Sequence, residues 1–177
     1  MKIVVLNGSP RKGGNTEIMT QAFAEAARKN QNEVSILDVA PMNIRGCLGC
    51  KYCWAHKGEC VQKDDMAEIL QKIIDADVLV LASPVYFYSI DAQLKAVIDR
   101  TVARWLEVKN KEFYYIATMA DEAISSADRT INCFRGYADC VAGAIEKGVI
   151  IGNGVYERGT IKGHKAMQQA YEMGKNV

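Results

Sequence analysis

An α/β fold built on a parallel sheet is what this sequence predicts, and two observations predict it. Short, continuous apolar runs recur along the 177-residue chain, as expected of strands buried on both faces. Segments whose apolar residues fall at helical spacing separate those runs, so strands and helices alternate.

The first run, Ile3 to Leu6, is short and wholly apolar and reads as a central strand. A glycine-rich turn follows, and Asn15 or Thr16 is placed to cap a helix carrying Ile18, Met19, Phe23, Ala26 and Ala27 near helical spacing. Val34 to Leu37 is the second strand. Asp64 or Asp65 can cap a helix reaching about Ile74, with Met66, Ile69, Leu70 and Ile73 on its apolar stripe. Val78 to Leu81, the most uniformly apolar run, is the third strand and the expected centre of the sheet. After Asp91 a helix presents Leu94, Val97, Ile98 and Val102 on one face. Phe113 to Ala117 is the fourth strand, 128–147 the longest helix, Val149 to Ile151 the fifth strand, and a last helix starts near Gly163. Five strands with intervening helices imply a flavodoxin-like three-layer sandwich, strand order 2-1-3-4-5, with helices on both faces.

A chain of this length fits one domain, 1–177, and no repeat or low-complexity segment divides it. The one anomaly is the connection over about 40–63, roughly 25 residues without periodicity, a length more often functional than idle. Hydrophobic residues make up 49% and charged residues 24%, and net charge is +1. That balance gives no reason to expect nucleic acid or an anionic membrane as partner. No run approaches a membrane span, and the chain opens directly as a strand rather than as a secretory signal. The expected location is cytoplasmic, where clustered thiols are poor candidates for disulfides.

Asn7-Gly8-Ser9-Pro10-Arg11-Lys12-Gly13-Gly14-Asn15-Thr16 joins the first strand to its helix. Such a turn aims backbone N–H groups and the positive end of a helix dipole at one spot, which suits a phosphate. Ser9, Asn15 and Thr16 add neutral donors, Arg11 adds a charge and Gly14 adds a close backbone approach. It is not the nucleotide P-loop, because Gly14 stands where that motif has lysine, and no G-x-G-x-x-G occurs here. The plainer alternative is a strand–helix turn whose hydroxyls only cap the helix.

With its Gly-Ser-x-Arg…Asn-Thr loop, the chain resembles the NADPH-dependent FMN reductase superfamily. A second match follows the third strand, from Ser83-Pro84-Val85-Tyr86-Phe87-Tyr88-Ser89-Ile90 to Ile98-Asp99-Arg100. The resemblance implies that the Ser9–Thr16 loop takes the FMN phosphate and that Pro84, Val85, Tyr86, Phe87 and Tyr88 line the isoalloxazine ring. Physically, Pro84 stiffens the strand exit and the three aromatics offer flat apolar surface. They could instead cap the core edge, although three in succession cannot all point inward. One departure is the loop after the fourth strand, which usually brings small residues or glycine to the flavin. Here it reads Thr118-Met119-Ala120-Asp121-Glu122-Ala123, of which only Thr118 and Met119 carry over.

Cys47, Cys50, Cys53 and Cys60 fall within fourteen residues of the long connection. A C-x2-C-x2-C run is close to the ligand run of bacterial ferredoxins. A zinc ion and unmetallated redox thiols are the other readings, and zinc sites more often pair two separate knuckles. Within the same superfamily this loop is similar to that of the iron–sulfur flavoproteins, which implies a [4Fe–4S] cluster on these four thiolates beside FMN. His56 reads as a solvated loop residue, Trp54 as a shield for the loop, and Cys133 and Cys140 as buried thiols on one helical face.

The function implied is that of an FMN-dependent oxidoreductase moving electrons between cluster and flavin. No side chain is an obvious acid–base catalyst. The alternatives are an NAD(P)H-dependent FMN or quinone reductase without a cluster, and a non-enzymatic electron carrier or metal-thiolate redox sensor. Expected partners are a small-molecule electron donor or acceptor, NAD(P)H or a ferredoxin-like protein as donor, and further copies of the chain in a homodimer or homotetramer.

Overall fold

The computed structural model describes residues 1–177. Five parallel strands, β1 (Lys2–Asn7), β2 (Glu33–Asp38), β3 (Val78–Pro84), β4 (Glu112–Thr118) and β5 (Ile145–Gly152), lie in the order β2-β1-β3-β4-β5. This is the flavodoxin-like order expected from the sequence, and β3 is its centre. All five carboxyl ends therefore share one rim. The order reverses at β1, which pairs with β2 from Lys2↔Glu33 and with β3 from Ile3↔Val78.

Alternation along the strands builds a core on each face. Val4, Leu6, Leu79, Leu81, Phe113 and Tyr115 meet α3 (Met66–Asp75), α4 (Ala92–Arg100) and α5 (Asp128–Ala138). Ile3, Val5, Val78, Val80, Tyr114 and Ile116 meet α1 (Asn15–Lys29) and α6 (Lys165–Lys175). On α3 the stripe Met66, Ile69, Leu70 and Ile73 is buried as its spacing predicts, each side chain contributing about 1.5–3 kcal/mol. Gly174 lets α6 close on α1, because a Cβ there would overlap the Phe23 carbonyl.

Three expectations need correction. The N-cap of α1 is Gly14, with Asn15 and Thr16 already helical and no side-chain cap. The longest helix is α1 rather than α5, because α5 stops at Ala138 and β5 begins at Ile145. Gly143, at φ +74, turns the chain between them. As an edge strand β5 keeps Glu146 and Lys147 in solvent, where they bridge Arg135 and Glu112, and these charges disguised it as helix. Cys140 consequently lies beyond the helix and is exposed, and Cys133 is half-buried.

Candidate functional site at the carboxyl rim

Asn7, the last residue of β1, knits three strand ends together. Its side-chain N–H donates to Asp38 at 2.8 Å, its side-chain oxygen accepts from the Ser9 N–H at 3.2 Å, and its carbonyl accepts from Val39 N–H. The next residue, Gly8, donates its N–H to the carbonyl of Ala82 on β3. A Cβ on Gly8 would overlap the carboxylate of Asp91, which caps α4 by accepting from Leu94 N–H at 2.9 Å and from the Ser83 hydroxyl at 2.7 Å. Burial pushes the Asp91 carboxyl upward, and these hydrogen bonds only partly offset it.

From this anchor the 8–16 turn runs into α1. The N–H groups of Asn15, Thr16 and Glu17 find no acceptor inside the protein. They stand at the positive end of a 15-residue helix beside the buried Ser9 hydroxyl. Orphan donors of this kind fit a phosphate monoester such as that of FMN. Thr16 is fixed by a 2.7 Å hydroxyl contact with Thr118 at the end of β4.

Two predicted phosphate residues hold something else. The Asn15 side chain donates to the carbonyl of Glu157 at 3.0 Å and accepts from Gly159 N–H at 3.0 Å and Ile161 N–H at 3.3 Å. Arg11 donates to the carbonyl of Tyr156 at 3.1 Å with its guanidinium over that ring. Both side chains thus bind the 155–161 strap to the loop, leaving Asn15 only its backbone N–H for an anion. Arg158 is brought against Gly13 by this strap. Sequence reading missed it, since nothing local links residue 158 to residue 13.

Beyond β3, Val85 N–H donates to the Thr118 carbonyl, and Tyr86 and Ser89 exchange both backbone hydrogen bonds across a two-residue turn. The turn residues Phe87 and Tyr88 have φ of +49° and +61°. This is a left-handed turn that asparagine and glycine fill without strain. Bulky residues there cost about 1–2 kcal/mol each. Tyr86, Phe87 and Tyr88 are all exposed, Phe87 completely at 102%. Met119, by contrast, is buried in the core, and only its backbone borders the rim. Asp121 is turned onto the Ala123 N–H and the Ser126 hydroxyl, which hold it below the usual carboxylate range.

All four clustered cysteines line one cavity of about 240 Å³. No three His, Cys, Asp or Glu side chains are gathered closely enough to hold a metal ion between them. The cavity has room for several waters' worth of atoms, and its lining includes Lys51 and Arg100 but no carboxylate. Four cysteine sulfurs around one cavity, with no carboxylate in its lining, suit a multi-atom group held by several thiolates, so the donor set fits an iron–sulfur cluster. Trp54 lines this cavity while remaining 63% exposed, so it shields only one side. His56 stacks on Tyr52 and takes no part in the lining.

The cysteine connection is closed at its neck by a buried ion pair that sequence reading did not foresee. Arg100, at the end of α4, donates to both carboxylate oxygens of Asp64 at 2.8 and 3.0 Å and to the Arg45 carbonyl at 2.9 Å. Its remaining contact is the Cys60 sulfur at 3.4 Å. Burial alone would raise the Asp64 carboxyl, yet Arg100 and the N–H groups of Met66 and Arg45 hold it below its ordinary value.

A family model described as NADPH-dependent FMN reductase matches residues 1–144. An iron–sulfur flavoprotein of Archaeoglobus fulgidus is 43% identical over 100 residues, 56% of this chain and 45% of that protein. The chain spans about half the length of such relatives. A Bacillus subtilis protein named as a candidate NAD(P)H-dependent FMN-containing oxidoreductase is 25% identical over 99% of this chain and 97% of its own length. Among solved structures, an NAD(P)H:quinone oxidoreductase from Methanothermobacter marburgensis superposes with a TM-score of 0.79 at 17% identity, covering 99% of this chain and 95% of that one.

Two outcomes are expected at this rim. Replacing the strained pair by Phe87→Asn with Tyr88→Gly should raise the urea unfolding midpoint, by about 2–4 kcal/mol in stability for the two residues together, while weakening FMN uptake measured by fluorescence quenching. Arg100→Leu should cost about 3–5 kcal/mol at neutral pH by stranding a buried carboxylate. Because the folded value of Asp64 lies below its ordinary 3.8, the pair stabilises the protein above that value and is lost as pH falls through the folded one. Urea titrations should therefore find the cost of Arg100→Leu shrinking in acid.

Proposed function

The chain belongs to the NADPH-dependent FMN reductase family, and from that premise we propose that it is an FMN-dependent oxidoreductase of the iron–sulfur flavoprotein type. The observation that carries this is the juxtaposition at Asn7. From that one residue the chain leaves on one side as the 8–16 anion turn, while its hydrogen bonds to Asp38 and Val39 hold the start of the cysteine connection on the other.

Ser9 and the N–H groups of Asn15, Thr16 and Glu17 would take the FMN phosphate, with Gly14 giving the backbone its close approach and Arg11 holding the strap. Pro84 to Tyr88 and the backbone of Thr118 and Met119 would border the ring, and Cys47, Cys50, Cys53 and Cys60 would ligate a [4Fe–4S] cluster. Bound there, FMN supplies hydride and single-electron chemistry and the cluster supplies single-electron chemistry. The chain's own work is to fix the phosphate, to aim the β3 turn at the ring and to hold the thiols in a largely apolar cavity. NAD(P)H or a ferredoxin-like protein would be the donor and a small molecule the acceptor. The exposed Tyr86, Phe87 and Tyr88 suit a homodimer or homotetramer in which a second copy completes the pocket. We take residues 1–177 as one domain acting in the cytoplasm.

A second reading is an NAD(P)H-dependent reductase with unmetallated thiols. The likeness to the Bacillus subtilis oxidoreductase over nearly its whole length favours it.

Anaerobic protein supplied with FMN, iron and sulfide and then titrated with NADPH separates the two by absorption. The expected result is flavin bands over a broad cluster absorption that Cys50→Ala removes, with Ser9→Ala weakening FMN binding about 10-fold or more. Flavin bleaching with no cluster absorption would instead support the reductase. A chain that takes up no FMN would sink both and leave a non-enzymatic carrier or sensor.

A further inference from the structure

Arg100 ends α4 with its side chain only 2% exposed. A buried guanidinium must satisfy its N–H groups inside the protein. Here they reach three points of one loop: Asp64 after the last clustered cysteine, the Arg45 carbonyl before the first, and the Cys60 sulfur. Of the four clustered sulfurs, only that of Cys60 receives a cationic donor; Cys47 receives the Gly49 N–H at 3.5 Å.

A second cavity, of about 640 Å³, lies beside the thiol cavity. Cys60, Gln62, Arg100 and Ala103 line both and so form the wall between them. Arg100 thus stands between the thiols and a larger, polar space open to solvent.

The geometry points to Arg100 as a positioning residue that presets Cys60 as the electronically distinct ligand of the cluster and closes the cluster's cavity from behind. The inference rests on the cluster reading above. Arg100 makes and breaks no bond. Its N–H draws charge from the thiolate sulfur, which favours the reduced, more negative cluster and raises the potential. Its side chain also blocks passage between the two cavities.

The test uses Arg100→Leu paired with Asp64→Asn in full-length protein reconstituted anaerobically with iron and sulfide. The pair removes one positive and one negative charge together, so local net charge is unchanged. Met66 and Arg45 donate their N–H groups to separate oxygens of Asp64, and the one side-chain amide oxygen that Asp64→Asn leaves in place can still accept one of the two. The pairing spares the loop the buried carboxylate that Arg100→Leu alone would strand. The cluster's midpoint potential is read by dithionite titration, and its loss rate by exposure to a chelator.

The expected result is a full complement of iron, a potential shifted to more negative values and cluster loss at least about ten times faster than in the parent. A loaded variant with unchanged potential overturns the inference while leaving the cluster reading standing, since a purely structural clasp would alter loading but not potential. A variant that loses its fold in circular dichroism overturns it as well, showing Arg100 to be a scaffold residue. A parent protein that binds no iron overturns the cluster reading and this inference with it.

Discussion

Parallel pairing of β1 with both β2 and β3 is the constraint on which the rest of the rim depends. It makes β1 the place where strand order reverses, and there the segments leaving neighbouring strands diverge and open a crevice. Asn7 sits at that point and uses its side chain and its carbonyl to hold the end of β2 and the start of the anion turn. Gly8, one residue on, is bonded to β3 and pressed against Asp91. A side chain at position 8 would therefore disturb the turn, the α4 cap and the approach to the third strand together.

Two further devices secure what that constraint brings together, and each acts over a long sequence separation. Asn15 pins the 155–161 strap to the start of α1, stiffening the turn whose N–H groups remain unpaired. Arg100 draws the two ends of the cysteine connection to the end of α4. Between its buried ends, Val155 and Ile161, the strap is largely at the surface, and Cys47 and Cys50 are exposed, so neither stretch has much apolar burial along its middle. Polar clamps do there what core packing does for the sheet. The cost is visible at Phe87 and Tyr88, where bulky side chains are held in a left-handed turn. Local strain of this sort persists where surrounding structure over-determines it, commonly beside a ligand.

The sheet was legible because strands buried on both faces are apolar throughout, as Val78 to Leu81 are. β5 is harder to read, since an edge strand tolerates Glu146 and Lys147, and its first half has the composition of a helix. The anion turn and the cysteine run stand out in sequence because each is contiguous. Arg158 and the Arg100–Asp64 clasp did not, because their partners lie 145 and 36 residues away and only folding makes them neighbours. Asn15 shows the converse difficulty. Its type and position suited a phosphate, but a primary amide serves equally well as a strap, and the choice is made by residues far along the chain.

The central claim is that one chain offers a flavin site and a four-thiolate cluster site from neighbouring strand ends. Native mass spectrometry of protein reconstituted anaerobically with FMN, iron and sulfide tests it most directly. The predicted result is a species carrying one FMN and one four-iron cluster per chain, with Cys60→Ala depleted of the cluster mass and still carrying FMN. A protein that gains FMN but no iron or sulfide, or whose cluster mass survives that substitution, would contradict it.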